Sequence, residues 1–168
     1  MIMQRGVIYI VDDSEDYRFI IKQIFDKFLT DFPVRFFDSG DALVELLINP
    51  DQSKKSNFPA LIILDLNMPK LSGHSTLTQL KDPANMDHQY LKQIPVLVMS
   101  GVEEANEIAA CYKAGANAFL KKPIEFDKLK ELFSSVAEFW LDVNQGPEIK
   151  SLPIPQQKPG GPIKPSTL

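Results

Sequence analysis

The chain has 168 residues, 44 % of them hydrophobic, with 13 prolines, one cysteine and a formal net charge of −4. That length suits one domain and a tail, the acidity excludes a broad basic surface of the kind nucleic acid attracts, and the apolar runs are too short to span a bilayer. The lone Cys111 excludes an intrachain disulfide framework and suits a reducing cytoplasm, and MIMQRGVIYIV leads into acidic residues rather than a small-residue cleavage site, so no signal peptide is expected. In chain order, GVIYIV at 6–11 predicts a first strand. A helix follows from Glu15 to Phe28, with Tyr17, Ile20, Ile21, Ile24, Phe25 and Phe28 on one stripe. Ser14 is placed to cap it, and Glu15 and Asp16 suit its positive end. Pro33 to Phe37 predicts a second strand, and Ser39 caps a helix whose Ala42, Leu43, Leu46 and Leu47 face inward.

Residues 49–59 are polar with two prolines and predict a loop. LIILDL predicts the third strand. Residues 74–81 form a weak helix that ends at Asp82-Pro83, because a residue before proline avoids the helical region. Residues 84–93 are ambiguous and leave room for a further helical turn. VLVMS predicts the fourth strand, and Ala105, Ile108, Ala109 and Tyr112 stripe the helix after it. Gly115 ends that helix through a left-handed cap. Ala116 to Leu120 predicts the fifth strand. Phe126, Leu129, Leu132, Phe133, Val136, Phe139 and Trp140 stripe a long last helix. After Asn144 the composition changes: residues 147–168 carry six of the 13 prolines and few large apolar side chains. A domain over 1–144 and a disordered or extended tail over 145–168 are therefore expected. The alternation of strands and helices predicts an α/β fold, a doubly wound five-stranded parallel sheet with helices on both faces.

Polar residues stand just after the apolar runs: Asp12 and Asp13 after VIYIV, Asp65 after LIIL, Ser100 after VLVM, and Lys122 after AFLK. In an open parallel sheet those ends share one edge, where ligands bind. Aspartate is common at strand ends as a loop cap, so Asp12 and Asp13 alone say little. Together with Asp65 they repel each other, by on the order of 4 kcal/mol per pair at ~4 Å and an effective dielectric of 20. A divalent cation, Mg²⁺ or Mn²⁺, removes that repulsion. Mg²⁺ takes one or two carboxylates and keeps several waters, so Asp13 and Asp65 suffice, with the Asn67 backbone carbonyl as a further ligand and Asp12 acting through water. Asp65 sits in an otherwise apolar stretch, where an unpartnered charge is expensive, and a carboxylate can attack phosphorus to form an acyl phosphate. Ser100 can donate to a phosphoryl oxygen, and Lys122 can clamp it as a point charge. Lys121 is the competing lysine. Alternation separates the two weakly, and a cis Lys122-Pro123 bond is one way of aiming Lys122 inward. His74 and His88 lack ligand-spaced partners, so no zinc site is expected.

The motifs VDDSE, LIILDLNMPKLSG, VLVMSG and AGANAFLKKP occur in this order. The chain resembles a receiver domain of the two-component response regulators over residues 5–142, and its ending AEFWLDV resembles the extended last helix of the phytochrome-type, single-domain members. The resemblance implies a flavodoxin-like sheet of order 2-1-3-4-5. It implies that Asp65 accepts phosphate from a phosphohistidine of a histidine kinase or phosphotransfer protein. Asp12 and Asp13 would hold Mg²⁺, Ser100 and Phe119 would form a switch pair, and Lys122 would contact the phosphate. The output would be a contact with an unidentified downstream protein, or a homodimer through the face of helix 4, strand 5 and helix 5. A cytoplasmic signalling domain is expected, not an enzyme with an external substrate, with no nucleic-acid or membrane partner. Phe119 stands where the family often has tyrosine. The stretch KDPANMDHQYLKQIP is longer than the usual connection, and no effector domain is expected after the last helix. Two alternatives stay open. One is a phosphorylation-independent interaction module on the same fold. The other is a phosphatase of the haloacid-dehalogenase type, which needs an acidic residue where this chain has Asn67.

Overall fold

The computed structural model describes residues 6–48, 58–68, 72–82 and 86–146. The strands are β1 (Ile8–Val11), β2 (Val34–Phe37), β3 (Leu61–Asp65), β4 (Val96–Ser100) and β5 (Ala118–Lys121), and the helices are α1 (Glu15–Phe28), α2 (Gly40–Ile48), α3 (Gly73–Lys81), α4 (Ala105–Lys113) and α5 (Phe126–Ala137). They build one five-stranded sheet of order β2-β1-β3-β4-β5, parallel at every pair, as the alternation predicts. The loop expected at 49–59 lies almost wholly outside the described residues, as do Pro69 and the tail from residue 147.

Side-chain alternation along the strands divides the core in two. Tyr9, Val11, Ile62, Leu64, Val96 and Val98 face α2, α3 and α4. Ile8, Ile10, Leu61, Ile63, Leu97 and Met99 face α1 and α5. Both faces being covered, β1, β3 and β4 are buried at every position, which is why they read as unbroken apolar runs. The Ser14 hydroxyl accepts from Tyr17 N and caps α1 as expected. Ser39 Oγ accepts from Ala42 N at the start of α2.

Some expectations need correction. Ile20 and Phe28 of α1, Phe126 of α5 and Phe139 in the turns that follow α5 lie on the outer flank of their stripes and are exposed. In α2, Leu43, Val44 and Leu47 are buried, and Ala42 and Leu46 are only half-buried. In α4 the apolar stripe turns outward: Ala105, Ala109 and Tyr112 are exposed, and Cys111 is the buried residue against the sheet. β5 begins at Ala118, later than Ala116. The Asn117 side-chain carbonyl accepts from Val96 N at 2.9 Å, occupying the donor at the start of β4. Residues 86–93 form an extended 3₁₀ segment, resolving that ambiguity. Such a run is unusual; it is held by the Tyr90 hydroxyl donating to Leu47 O at 2.7 Å. Gly115 has φ +104°, the left-handed conformation expected after α4. Beyond Ala137 the last helix widens into π-helical turns over Glu138–Val143, with Asn144 N donating to Phe139 O.

Candidate functional site

Strand register brings the chemistry together. β1 and β3 pair with Val11 opposite Leu64, so Asp12 and Asp65 emerge side by side at the same edge. β4 and β5 pair with Ser100 opposite Lys121, and Lys122 N donates to Ser100 O at 2.7 Å. Lys122 shares the parity of Leu120, the α1/α5 side on which Ile10 and Ile63 precede the aspartates. Lys121 takes the opposite parity; it is exposed and pairs with Glu103 at 2.8 Å. No peptide bond among the described residues is cis, so register rather than a cis proline selects Lys122.

The Lys122 ammonium donates to Asp12 Oδ2 at 2.6 Å and to Asp65 Oδ2 at 3.0 Å. The other carboxylate oxygens are held locally: Ser14 N donates to Asp12 Oδ1 and Asn67 N to Asp65 Oδ1. Asp12 is fully buried and Asp65 is 2 % exposed, whereas Asp13 is open to solvent. Burial pushes the Asp12 carboxyl above its ordinary value; the Lys122 bond opposes that rise and the charge of Asp65 adds to it. Burial by itself would lower Lys122, but the hydrogen bonds and charges of Asp12 and Asp65 together hold it above its ordinary value. Carboxylate oxygens of Asp12, Asp13 and Asp65 lie within 4.8 Å of one another. Three acids and one ammonium leave an excess negative charge facing solvent through Asp13. An all-oxygen donor set of this kind suits a hard divalent cation.

Of the remaining expected residues, Ser100 neighbours this centre through Asn67. Ser100 Oγ is buried and accepts from Val102 N at 3.1 Å and Asn67 Nδ2 at 3.4 Å. Phe119 is half-buried against the α2/α3/α4 core, and its backbone N donates to the Tyr112 hydroxyl at 3.3 Å. His74 is exposed at the start of α3, and the side chain of His88 is outside the described residues. Gly73 is where the chain after Asp65 folds back: a Cβ there would stand 2.1 Å from the Asp65 carbonyl oxygen.

Tyr17 and Arg18 escape a sequence reading because the stripe accounts for the one and α1 for the other. The Tyr17 ring lies 4.2 Å under the Lys122 ammonium and its hydroxyl donates to Pro123 O at 3.2 Å. Arg18 donates to the Asp12 carbonyl at 2.5 Å. The signal available was an aromatic with a polar tip one turn after the acidic pair.

The model of the response regulator receiver domain family matches residues 8–134. Response regulator Rcp1 of Synechocystis sp. is 29 % identical over 81 % of this chain and 89 % of its own. The two-component response regulator ORR11 of Oryza sativa is 35 % identical over 75 % of this chain and 77 % of its own. Among solved structures, the phosphorylated cyanobacterial phytochrome response regulator RcpA superposes with a TM-score of 0.72 at 26 % identity, over 85 % of this chain and 99 % of that one. The Mn²⁺-bound form of Rcp1 gives 0.70 at 28 %, over 84 % and 99 %. With this sheet order, this acidic edge and these relatives, the chain belongs to the response regulator receiver domains, signalling domains of two-component systems.

Proposed function

We propose that the chain is a phosphoacceptor switch whose acceptor is Asp65. The observation that carries this reading is the Lys122 ammonium bound to both Asp12 and Asp65 beside the exposed Asp13. An Asp65 carboxylate oxygen attacks the phosphorus of a phosphohistidine from a histidine kinase or phosphotransfer protein. The O–P bond forms, the P–N bond breaks, and its electron pair leaves on the imidazole nitrogen. Lys122 meets the phosphoryl oxygens as their charge arrives, and Ser100 offers its hydroxyl to one of them. Asp12, Asp13, Asp65 and the Asn67 carbonyl would hold Mg²⁺ or Mn²⁺, which supplies charge neutralisation and alignment of the donor phosphate.

The donor reaches the acid edge beside a groove of about 1020 Å³ that joins apolar Ile20, Ile124, Phe126 and Leu132 to charged Lys121, Lys128 and Glu131. Ile124 is fully exposed there, which favours a protein donor over a small one. Output follows from Ser100 and Phe119, which share the α2/α3/α4 side of the sheet. Movement of the hydroxyl toward phosphate and of the ring inward would remodel the face of α4, β5 and α5 for a downstream protein or a second copy. Phosphate biases an existing equilibrium by its differential stabilisation of one state, a few kcal/mol. A cytoplasmic site of action agrees with such a kinase partner, and no helix among the described residues is long and apolar enough to cross a membrane. Asn67 cannot exchange a proton, which disfavours turnover of external phosphate esters.

The test is phosphorylation by acetyl phosphate with Mg²⁺, read by intact mass. The wild type gains one phosphate and Asp65→Asn gains none; uptake by Asp65→Asn at the wild-type level refutes Asp65 as acceptor.

A further inference from the structure

We infer that Tyr17 is a positioning residue for Lys122: its ring face holds the ammonium over the acid pocket while the carboxylates beneath change. The inference rests on the phosphoacceptor reading and deepens it. Two contacts leave one side chain for consecutive residues. The ring lies 4.2 Å from the Lys122 ammonium, and the hydroxyl is tied to Pro123 O at 3.2 Å. The ammonium is thus bounded by Asp12, Asp65 and an aromatic face, with its side chain only 19 % exposed.

These bounds behave differently during reaction. Once Asp65 carries phosphate, the charge that faced Lys122 has moved to the phosphoryl oxygens, so the Lys122–Asp65 bond cannot persist unchanged. The ring has no charge to lose. Its attraction for a cation is broad over the face rather than confined to one direction, so Lys122 can slide from carboxylate to phosphoryl without leaving it. A hydrogen-bonding side chain at position 17 would fix the ammonium at one point instead. The polar tip explains why the ring stays put, since it is anchored to the turn that carries Lys122.

The experiment compares wild type, Tyr17→Phe and Tyr17→Leu in the full chain. Acetyl phosphate with Mg²⁺ gives the phosphorylation rate, and proton NMR of the Lys122 Cε and Nζ groups gives the ring-current shift. Tyr17→Leu is expected to slow phosphorylation by about twofold to thirtyfold, the range a cation–π contact supplies, and to abolish the upfield shift. Tyr17→Phe keeps the ring but loses its tie to Pro123 O, so a reduced upfield shift and a rate between those of wild type and Tyr17→Leu are expected. In a Lys122→Ala background, Tyr17→Leu has no further effect. A Leu variant as fast as wild type, a Phe variant as slow as Leu, or an undiminished Leu effect without Lys122 overturns the role of Tyr17 alone. A wild type that takes no phosphate overturns the phosphoacceptor reading, and the role of Tyr17 falls with it.

Discussion

Asp12, Asp13 and Asp65 crowd their oxygens within 4.8 Å, and Lys122 balances only part of that charge. A divalent cation that binds the folded chain raises its stability by mass action, about 2.7 kcal/mol at a hundredfold excess over Kd. Mg²⁺ added to chelator-treated protein should therefore raise the melting temperature of the wild type. Asp13→Ala removes one of the proposed ligands and a negative charge together. It should be at least as stable as wild type without metal and gain little from Mg²⁺, which calorimetry with and without the ion checks. Gly73 matters for shape rather than charge. A Cβ 2.1 Å from the Asp65 carbonyl oxygen forces the returning chain away from the strand end. Gly73→Ala should cost about 1–3 kcal/mol of stability, the usual range for overpacking, and slow phosphorylation as well. Urea unfolding measures the first, and an unchanged midpoint would show that the turn yields freely.

The elements are joined at the edge of the sheet opposite the acids by Lys81, the last residue of α3. Its ammonium donates to Lys92 O at 2.9 Å and Ile94 O at 2.6 Å, closing the 3₁₀ segment onto β4. Its stem packs beneath Gly115, where a Cβ would meet Lys81 Cγ at 3.0 Å. One lysine thus ties α3, the 3₁₀ segment and the turn from α4 to β5. Burial lowers its pKa to about 8. The unfolded chain, with an ordinary lysine near 10.4, binds more protons between these values, so stability rises with pH there. The contribution is present above the unfolded pKa and is lost as pH falls through about 8. The stability difference between wild type and Lys81→Met should therefore widen between pH 8 and pH 10.5, which urea midpoints across that interval would reveal. A constant difference would mean the ammonium titrates normally. On the other side of the sheet, α1 and α5 meet through Phe25 and Phe133, edge to face at 5.6 Å, and an exposed Phe28–Phe126 pair at 6.3 Å continues that seam outward.

In the whole molecule, two apolar layers hold five parallel strands so that their carboxyl ends share one edge. Trp140 and Leu141 still pack on the α1/α5 core, and the chain is hydrogen-bonded as far as Asn144. A chain ending at Gly146 should accordingly take phosphate at the wild-type rate and keep its denaturant midpoint. A lower midpoint would assign residues 147–168 a share in the domain. Most of this architecture was legible from the residues themselves. Unbroken apolar runs such as LIIL and VLVM announce strands covered on both faces, and the polar residue ending each run announces the polar edge where they meet. Those signals are local, because burial and period act on neighbours in the chain. The choice of Lys122 over Lys121 is different: it depends on the pairing of Ser100 with Lys121, between segments brought together only in the fold. The same holds for the outward turn of the α4 stripe, for the exposed flanks of α1 and α5, and for Tyr17 beneath Lys122. The order of residues along the chain specifies which chemical groups stand at the strand ends. Folding selects which of them face each other, because parity, helix rotation and inter-strand register are set by packing between residues far apart in the chain.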